Sequence, residues 1–225
     1  MASEAPTSGA RTNNLPLVRV VDDEESIQAL FQSLAPVGGF EVVSYRTARS
    51  FLDRVENDDR PGCLVLDLML GDSTGIDVLK EMAARHDPLP VVFMSGLACV
   101  SQAVVALKLG SLDFVEKPFD IQTMLAAIRR AIDCDIAQRS AEKELARLQR
   151  NFARLTARET EVMDLIVQGC ANKEVAARLD LSPKTIEVHR ANVMRKTEAA
   201  SLAELVRMHV AVRTGAERTE LVPTH

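Results

Sequence analysis

The sequence predicts an α/β fold for residues 15–132, a doubly wound parallel sheet of five strands, with an all-α domain after it. Short, almost continuous apolar runs alternate with segments of helical periodicity, which is typical of βα units whose strands are covered on both faces. Each apolar run also ends in polar residues. Open parallel sheets of this kind bind ligands and carry their reactive residues at the carboxyl ends of the strands, so we expect a functional site at this edge.

The strands and helices follow one another in regular order with short connections. Strands are predicted at 17–22, 40–44, 63–67, 90–94 and 112–116, and helices at 25–35, 47–56, 75–85 and 98–109, with a long helix from about 120. The first helix should end at Pro36, because proline lacks the N–H that a helix interior needs. Apolar spacing in the long helix predicts a stripe against the sheet, made of Ile121, Leu125, Ile128, Ile132 and Ile136.

Length, charge and cysteine content narrow the class of protein. The 225 residues exceed a typical single domain of about 100 to 200 residues, so two modest domains are expected. Residues 1–135 contain 20 acidic and 12 basic side chains, which suits a cation. Residues 136–225 contain 12 acidic and 15 basic ones, which suits an anionic partner. The 4 widely spaced cysteines are expected to be reduced thiols rather than a zinc site.

Nothing in the sequence indicates a membrane protein or a secreted one. No apolar stretch reaches the roughly 18 residues of a membrane span, and residues 1–14 lack the apolar core of a signal peptide. We therefore expect a soluble protein of the cytoplasm.

Three acidic residues are predicted to meet at one edge of the sheet. Asp22 and Asp23 follow the first strand, and Asp67 ends the third. Gathered carboxylates repel one another, so the cluster requires a cation or shifted pKa values, and Mg²⁺ prefers oxygen ligands of this kind. Beside the metal, Asp67 could attack a phosphoryl group as a nucleophile and form an aspartyl phosphate.

Two other strand ends supply groups that suit phosphoryl transfer. Lys117 would neutralise charge on the transferred group, and the Ser95 hydroxyl would donate to one of its oxygens. Taken singly, such residues are more often structural, because an Asp that ends a strand is usually a turn former and a Ser before Gly is usually a cap. The ordered set at four strand ends is what favours a functional site.

Residues 17 to about 132 resemble the receiver domain of two-component response regulators, a flavodoxin-like fold. The motifs that carry the resemblance are Asp22-Asp23, Asp67, Gly75, Ser95-Gly96 and Lys117-Pro118-Phe119. The resemblance implies that a sensor histidine kinase phosphorylates Asp67. It also implies that Mg²⁺ is held by Asp23, Asp67 and the backbone carbonyl of Met69, with Asp22 in the same acidic site.

The same resemblance implies a conformational switch, and the chain departs from the family pattern at one place. Ser95 and Phe114 match the pair that rearranges on activation, although Phe114 would suit an ordinary core position equally well. The Lys117-Pro118 peptide bond is expected to be cis. Where the family usually carries Met-Pro, this chain has Leu70-Gly71, and the glycine is expected to loosen the loop that carries Met69.

An amphipathic helix is predicted between the two domains. Apolar residues recur there at steps of four and three among many charges, which indicates either a solvated spacer or a dimer-forming coiled coil. They are Ala141, Leu145, Leu148, Phe152 and Leu155.

The C-terminal region predicts a helix-turn-helix. Thr156 and Glu159 form a capping box that starts a helix to about Gln168, and a second helix covers 172–179. Ser182-Pro183 starts a third helix to about Lys196, because Ser caps helices and Pro favours the first helical position. Spacing alone is a weak signal, since any helical hairpin gives it.

The amino-acid sequences of three segments give a more specific signal, because they resemble the LuxR/NarL-type DNA-binding domain. The segments are LTARE at 155–159, NKEVA at 172–176 and LSPKTIEVHRANVM at 181–194. Together with the receiver and the linker, they are similar to the FixJ-type subgroup of response regulators.

This second resemblance implies which residues meet DNA. Base edges would be faced by Glu187, Val188 and Ala191, and phosphate contacts would come from Lys173, Lys184, Thr185 and Arg190. His189 could contact the DNA backbone or pack within the helix pair, whereas Ile186 and Val193 are expected in the core. A final helix at 201–212 would supply a dimer contact.

The predicted organisation is a disordered lead-in at 1–14, a receiver domain at 15–132, a helical linker at 133–153, a LuxR-type domain at 154–215 and a tail at 216–225. The predicted function is a transcription factor, not an enzyme, that is phosphorylated on Asp67, dimerises and binds promoter DNA, with RNA polymerase as a further partner. One alternative is a receiver that works without phosphorylation. Another is a metal-dependent phosphotransferase, which fits less well because position 69 is Met and the C-terminal domain stays unexplained.

Overall fold

The computed structural model describes residues 15–54, 58–71, 73–96 and 105–220, without the side chains of 216–220. The strands are β1 (Leu17–Val21), β2 (Glu41–Tyr45), β3 (Gly62–Asp67), β4 (Met69–Leu70), β5 (Ser73–Thr74), β6 (Val91–Ser95) and β7 (Asp113–Glu116). The helices are α1 (Glu25–Gly38), α2 (Ala48–Leu52), α3 (Gly75–Ala84), α4 (Ile121–Phe152), α5 (Ala157–Val167), α6 (Asn172–Leu179), α7 (Pro183–Thr197) and α8 (Leu202–Glu220).

Five of the strands form one parallel sheet in the order β2-β1-β3-β6-β7, which confirms the predicted doubly wound α/β fold. Alternate residues of β3 enter different cores. Cys63 and Val65 pack with α1 and α4 on one face, whereas Leu64 and Leu66 pack with α2 and α3 on the other. Burial on both faces explains why the strands read as continuous apolar runs.

Two helices differ from their predicted extents. Pro36 lies inside α1, and the helix ends instead at Gly39, whose φ of 74° suits glycine. The helix predicted at 47–56 ends at Leu52, and residues 55–57 lie outside the described part of the chain. Of the helix predicted at 98–109, residues 105–108 are helical, and 97–104 lie outside the described residues.

The buried stripe of α4 is shorter than predicted. Leu125, Ile128 and Ile132 are buried as expected, but Ile121 and Ile136 are 44% and 45% exposed, so those two assignments were wrong. The next buried position belongs to Asp135. Its Oδ2 accepts hydrogen bonds from the Gly62 N–H at 2.8 Å and from Arg139 Nε at 2.7 Å, which ties α4 to the start of β3.

The chain divides into two compact units between Arg139 and Ser140. The second half of α4 therefore belongs to the C-terminal unit, where Leu148 is buried with Val162, Ile186 and other residues of α5 to α8. A Cβ on Gly215 of α8 would lie 2.7 Å from Leu145 Cδ2, so the glycine allows the two helices to approach closely. Of the predicted linker stripe, Leu148, Phe152 and Leu155 thus pack within the C-terminal unit, whereas Ala141 is exposed.

Helix α8 continues to Glu220, into the segment that was predicted to be a tail. None of the helices in the described part of the chain combines the length and the apolar character of a membrane span.

Candidate functional site

An acidic cluster lies at the carboxyl edge of the sheet. It consists of Asp22 after β1, Asp67 at the end of β3 and Glu24 at the N-cap of α1, and one carboxylate oxygen of each lies within 4.8 Å of the others. The cluster forms because β1 and β3 are adjacent and parallel, so that their carboxyl ends meet. Asp22 and Asp67 are buried and Glu24 is exposed, so the cluster opens to solvent on the Glu24 side.

Lys117 reaches into this cluster from the end of β7. Its Nζ donates hydrogen bonds to Asp67 Oδ2 at 2.7 Å and to Asp22 Oδ2 at 2.8 Å, and it lies 3.4 Å from Glu24 Oε1. The Lys117-Pro118 peptide bond that follows is cis, as expected. One ammonium group is therefore shared by the three carboxylates.

Burial and pairing act in opposite directions on these groups. Burial raises the pKa of Asp22, and the hydrogen bond from Lys117 only partly offsets it. For Lys117, burial would lower the pKa, but the hydrogen bonds to Asp22 and Asp67 outweigh it and the pKa is raised. Lys117 consequently stays charged at neutral pH.

The residues that follow Asp67 pair with the residues just before α3. β4 and β5 pair antiparallel, with Met69 opposite Thr74 and Leu70 opposite Ser73. Leu70 is buried, and the Met69 N–H donates to Asp67 Oδ1 at 3.1 Å. Pairing thus holds Met69 and Leu70 against Ser73 and Thr74, residue 72 lies outside the described part of the chain, and the loosening expected from Gly71 stays a prediction.

Gly75 fits closely behind Asp67. A Cβ at this position would lie 2.5 Å from the backbone oxygen of Asp67 and 2.7 Å from Phe93 Cε1. No side chain larger than hydrogen can be accommodated without displacing one of them. The glycine therefore fixes the backbone position from which Asp67 projects.

The structure does not place every predicted ligand in the cluster. Asp23 is exposed, and its Oδ2 would lie 3.9 Å from a Cβ built on Gly71, beside the β4–β5 turn. Glu24 takes the third place among the clustered carboxylates, and the sequence analysis missed it. Its signal was its position: it follows the acid pair and caps α1 without a side-chain hydrogen bond to that helix.

Ser95 and Phe114 lie on neighbouring strands of the same edge. Ser95 ends β6 and is buried, and its carbonyl oxygen accepts the Lys117 N–H at 2.7 Å. Phe114 lies on β7 opposite Phe93 and packs, half-buried, against the core between the sheet and α2 and α3. Ser95 therefore lies at the same edge as Asp67 and Phe114 lies on the next strand, and the switch that they are predicted to form stays a prediction.

The second candidate site is the exposed face of α7. Ser182 Oγ accepts the Thr185 N–H at 3.1 Å and Pro183 occupies the first turn, so the helix begins as predicted. Ile186 and Val193 are fully buried, in agreement with the core assignment. The residues that face outward are Lys184, Glu187, Val188 and Ala191, while Thr185, His189 and Arg190 are half-buried. Lys173 of α6 is exposed next to them.

Buried polar contacts hold this unit together. Glu159 Oε2 accepts the Thr156 N–H at 2.8 Å and a hydrogen bond from Lys196 Nζ at 2.6 Å. The bond from Lys196 and that from Thr156 lower the pKa of Glu159. The N-terminus of α5 is thereby joined to the last turn of α7.

Comparison with known proteins assigns each of the two units to a family. Residues 18–129 match the response regulator receiver domain family, and residues 153–209 match the bacterial regulatory proteins of the luxR family. The chain is 40% identical to the transcriptional regulatory protein FixJ of Azorhizobium caulinodans, covering 85% of this chain and 90% of that protein. It is 34% identical to the response regulator protein TodT of Pseudomonas putida, covering 85% and 84%.

Two solved structures of similar proteins cover most of the chain. The response regulator StyR is 34% identical, with a TM-score of 0.76 over 86% of this chain and 98% of that one. Full-length FixJ from B. japonicum is 37% identical, with a TM-score of 0.55 over 88% and 98%.

Proposed function

We propose, because this chain belongs to the FixJ-type response regulators, that it regulates transcription in the cytoplasm and that Asp67 is its phosphoacceptor. The observation that carries the assignment of Asp67 is its shared contact with Lys117. Its carboxylate ends a central strand, is nearly buried, and lies against two further acids. This is the environment that a carboxylate nucleophile for phosphoryl transfer requires.

The same residues fit a magnesium site. All the groups offered are carboxylate oxygens, the ligand type that this ion prefers, and Lys117 supplies one positive charge against three acids. Asp22, Glu24 and Asp67 would hold the ion, with Asp23 and the Met69 carbonyl as the further ligands that the resemblance implies. Bound Mg²⁺ would neutralise charge on the phosphoryl group as it approaches.

Lys117 and Ser95 would position the transferred group. Lys117 would exchange its hydrogen bond to Asp67 for one to a phosphoryl oxygen, and the Ser95 hydroxyl would donate to another. The Lys117 ammonium group would move only a short distance, because it already donates to Asp67 Oδ2. Its ammonium charge would therefore lie next to a phosphoryl group on Asp67 without a larger movement of the side chain.

Phosphorylation would change the output through charge. The group adds about −1.5 to −2 charge at neutral pH to an edge that is already acidic. A state in which Ser95 and Phe114 have moved would become more populated, and the surface around the predicted 98–109 helix and β7 would change with it. We propose that this surface forms the homodimer and that a sensor histidine kinase supplies the phosphoryl group.

The DNA-binding role is assigned to the α6–α7 pair. Glu187, Val188 and Ala191 are exposed on one side of α7 and would face base edges. Lys173, Lys184, Thr185, His189 and Arg190 surround them and would contact the DNA backbone. Dimerisation would present two such helices to a two-fold promoter site, where RNA polymerase is a further partner.

The first test measures intact mass after incubation with acetyl phosphate and Mg²⁺, with DNA binding measured on the same samples. The wild type should gain one phosphoryl group and bind DNA more tightly, and Asp67→Asn should do neither. Asp53→Asn, which alters an exposed acid at the end of α2, is the matched control and should behave as the wild type. No mass gain with unchanged DNA binding would instead establish the phosphorylation-independent alternative.

A further inference from the structure

One hydrogen bond joins the two helices of the predicted DNA-binding pair. Arg190 of α7 donates through Nη1 to Asn172 Oδ1 at 3.2 Å, and both residues are half-buried. Asn172 is the first residue of α6, so the bond brings the Arg190 guanidinium to the end of the neighbouring helix. Lys173, the next residue of α6, is exposed beside it.

The position of Arg190 on α7 explains why it needs a partner. Residues three and four apart lie on the same face of a helix, so Arg190 lies between Ile186 and Val193, which are both fully buried. Its stem therefore leaves the helix on the packed side, whereas Glu187 and Val188 leave it on the exposed side. The guanidinium lies at the α6–α7 contact, where Asn172 Oδ1 accepts its hydrogen bond.

The start of α6 favours an anion. The first N–H groups of a helix have no partners within the helix, and the helix dipole is positive at this end. Ala171 at the N-cap has no side-chain acceptor, and Glu174 accepts the Ala171 N–H at 2.9 Å. Lys173 and Arg190 place two positive charges at this helix start against the one negative charge of Glu174, and Asn172 between them is neutral.

We infer that Asn172 is a positioning residue of the DNA interface, which holds Arg190 against the start of α6 so that it contacts a DNA phosphate rather than a base. This inference rests on the proposed function. It separates the roles on α7: Arg190 contributes affinity that is independent of sequence and sensitive to salt, whereas Glu187 and Val188 read the sequence. Asn172 contributes only through Arg190.

A double-mutant cycle on the full-length phosphorylated protein tests this. Binding is measured from low to moderate salt on two probes, a duplex selected by the wild type from a random pool and the unselected pool itself. Arg190→Ala should weaken binding about tenfold on both probes and reduce the slope of log K against log salt by about one phosphate contact. Asn172→Ala should reproduce part of both changes, and the double variant should bind no more weakly than Arg190→Ala alone.

A matched control and two other outcomes complete the design. Asn192→Ala removes a different Arg–Asn pair, in which Asn192 Oδ1 accepts from Arg195 at 3.4 Å within α7, and it should leave the slope contributed by Arg190 unchanged. Thermal unfolding of each variant identifies any loss of fold. Additive effects of Asn172→Ala and Arg190→Ala would overturn the inference, as would a loss confined to the selected duplex. A wild type that bound neither probe would overturn the proposed function itself, and the inference with it.

Discussion

Replacing Lys117 with methionine should destabilise the receiver unit, because it leaves two buried carboxylates without their shared cation. The lysine Nζ lies 2.8 Å from Asp22 and 2.7 Å from Asp67. Opposite unit charges attract by about 4 kcal/mol at 4 Å with an effective dielectric constant of about 20. Removing one partner of a buried pair costs about 3 to 5 kcal/mol. Since the lysine side chain is 13% exposed and the cluster opens to solvent, we expect a loss of about 2 to 3 kcal/mol in the free energy of unfolding.

The chain offers a selective probe for this measurement. It contains no tryptophan and one tyrosine, Tyr45 on β2, whose ring lies edge-on to Phe51 in the receiver unit. Urea unfolding followed by tyrosine fluorescence therefore reports this unit alone, which matters because a two-unit protein need not unfold in one step. The measurement is made at pH 7 with a chelator present. Lys80→Met is the matched control, since Lys80 and Asp77 form an exposed pair whose loss should cost less than about 0.5 kcal/mol.

Two conditions should reduce the difference in the free energy of unfolding between Lys117→Met and the wild type. Saturating Mg²⁺ supplies positive charge in place of the lysine, so it should stabilise the variant more than the wild type. A lower pH should also stabilise the variant relative to the wild type. Without the lysine, burial and the Asp67 charge outweigh the remaining hydrogen bond from the Glu24 N–H, so the folded pKa of Asp22 rises further above the unfolded value of about 3.8. The free energy of unfolding of the variant should therefore increase as the pH falls through that folded pKa toward the unfolded value. Equal urea midpoints for Lys117→Met and Lys80→Met at pH 7 would refute the reasoning.

Three other outcomes are expected. Gly75→Ala should lower the free energy of unfolding by about 1 to 3 kcal/mol and slow phosphorylation, because the new methyl group would overlap the Asp67 carbonyl; unchanged urea midpoint and mass gain would contradict this. Leu148→Ala should destabilise the C-terminal unit by about 2 to 5 kcal/mol in calorimetry without moving the tyrosine-monitored transition, whereas a solvated linker would show no loss. Lys196 lowers the pKa of Glu159, so the ionised Glu159 stabilises this unit fully above about pH 4.5, and this contribution is lost as the pH falls through the folded pKa. Glu159→Gln should therefore lose less thermal stability than the wild type between pH 7 and 3, as measured by calorimetry.

Local patterns predicted most of the elements that the structure contains. The βα alternation, the capping box at Thr156 and the Ser182-Pro183 start of α7 depend on residues within one or two helical turns of each other. The order of the strand ends then placed Asp22 and Asp67 at one edge, because adjacent parallel strands end together. Local patterns failed where a tertiary contact replaced the usual residue type. Asp135 is buried in α4 where the predicted stripe had placed its neighbour Ile136, because the Asp135 carboxylate accepts from the first N–H of β3 and from Arg139.

The sequence by itself determined the fold class and the two families, and it predicted Asp67 as the acceptor and α7 as the helix that faces DNA, because periodicity, capping and motif residues are properties of near neighbours. Only the tertiary structure decided which side chains share a partner. Lys117 joins Asp67 and Asp22 across 50 and 95 residues of sequence. Asn172 joins Arg190 across 18. Contacts of this kind depend on how the elements pack and on the directions in which their side chains leave the backbone, and no spacing along the chain records either.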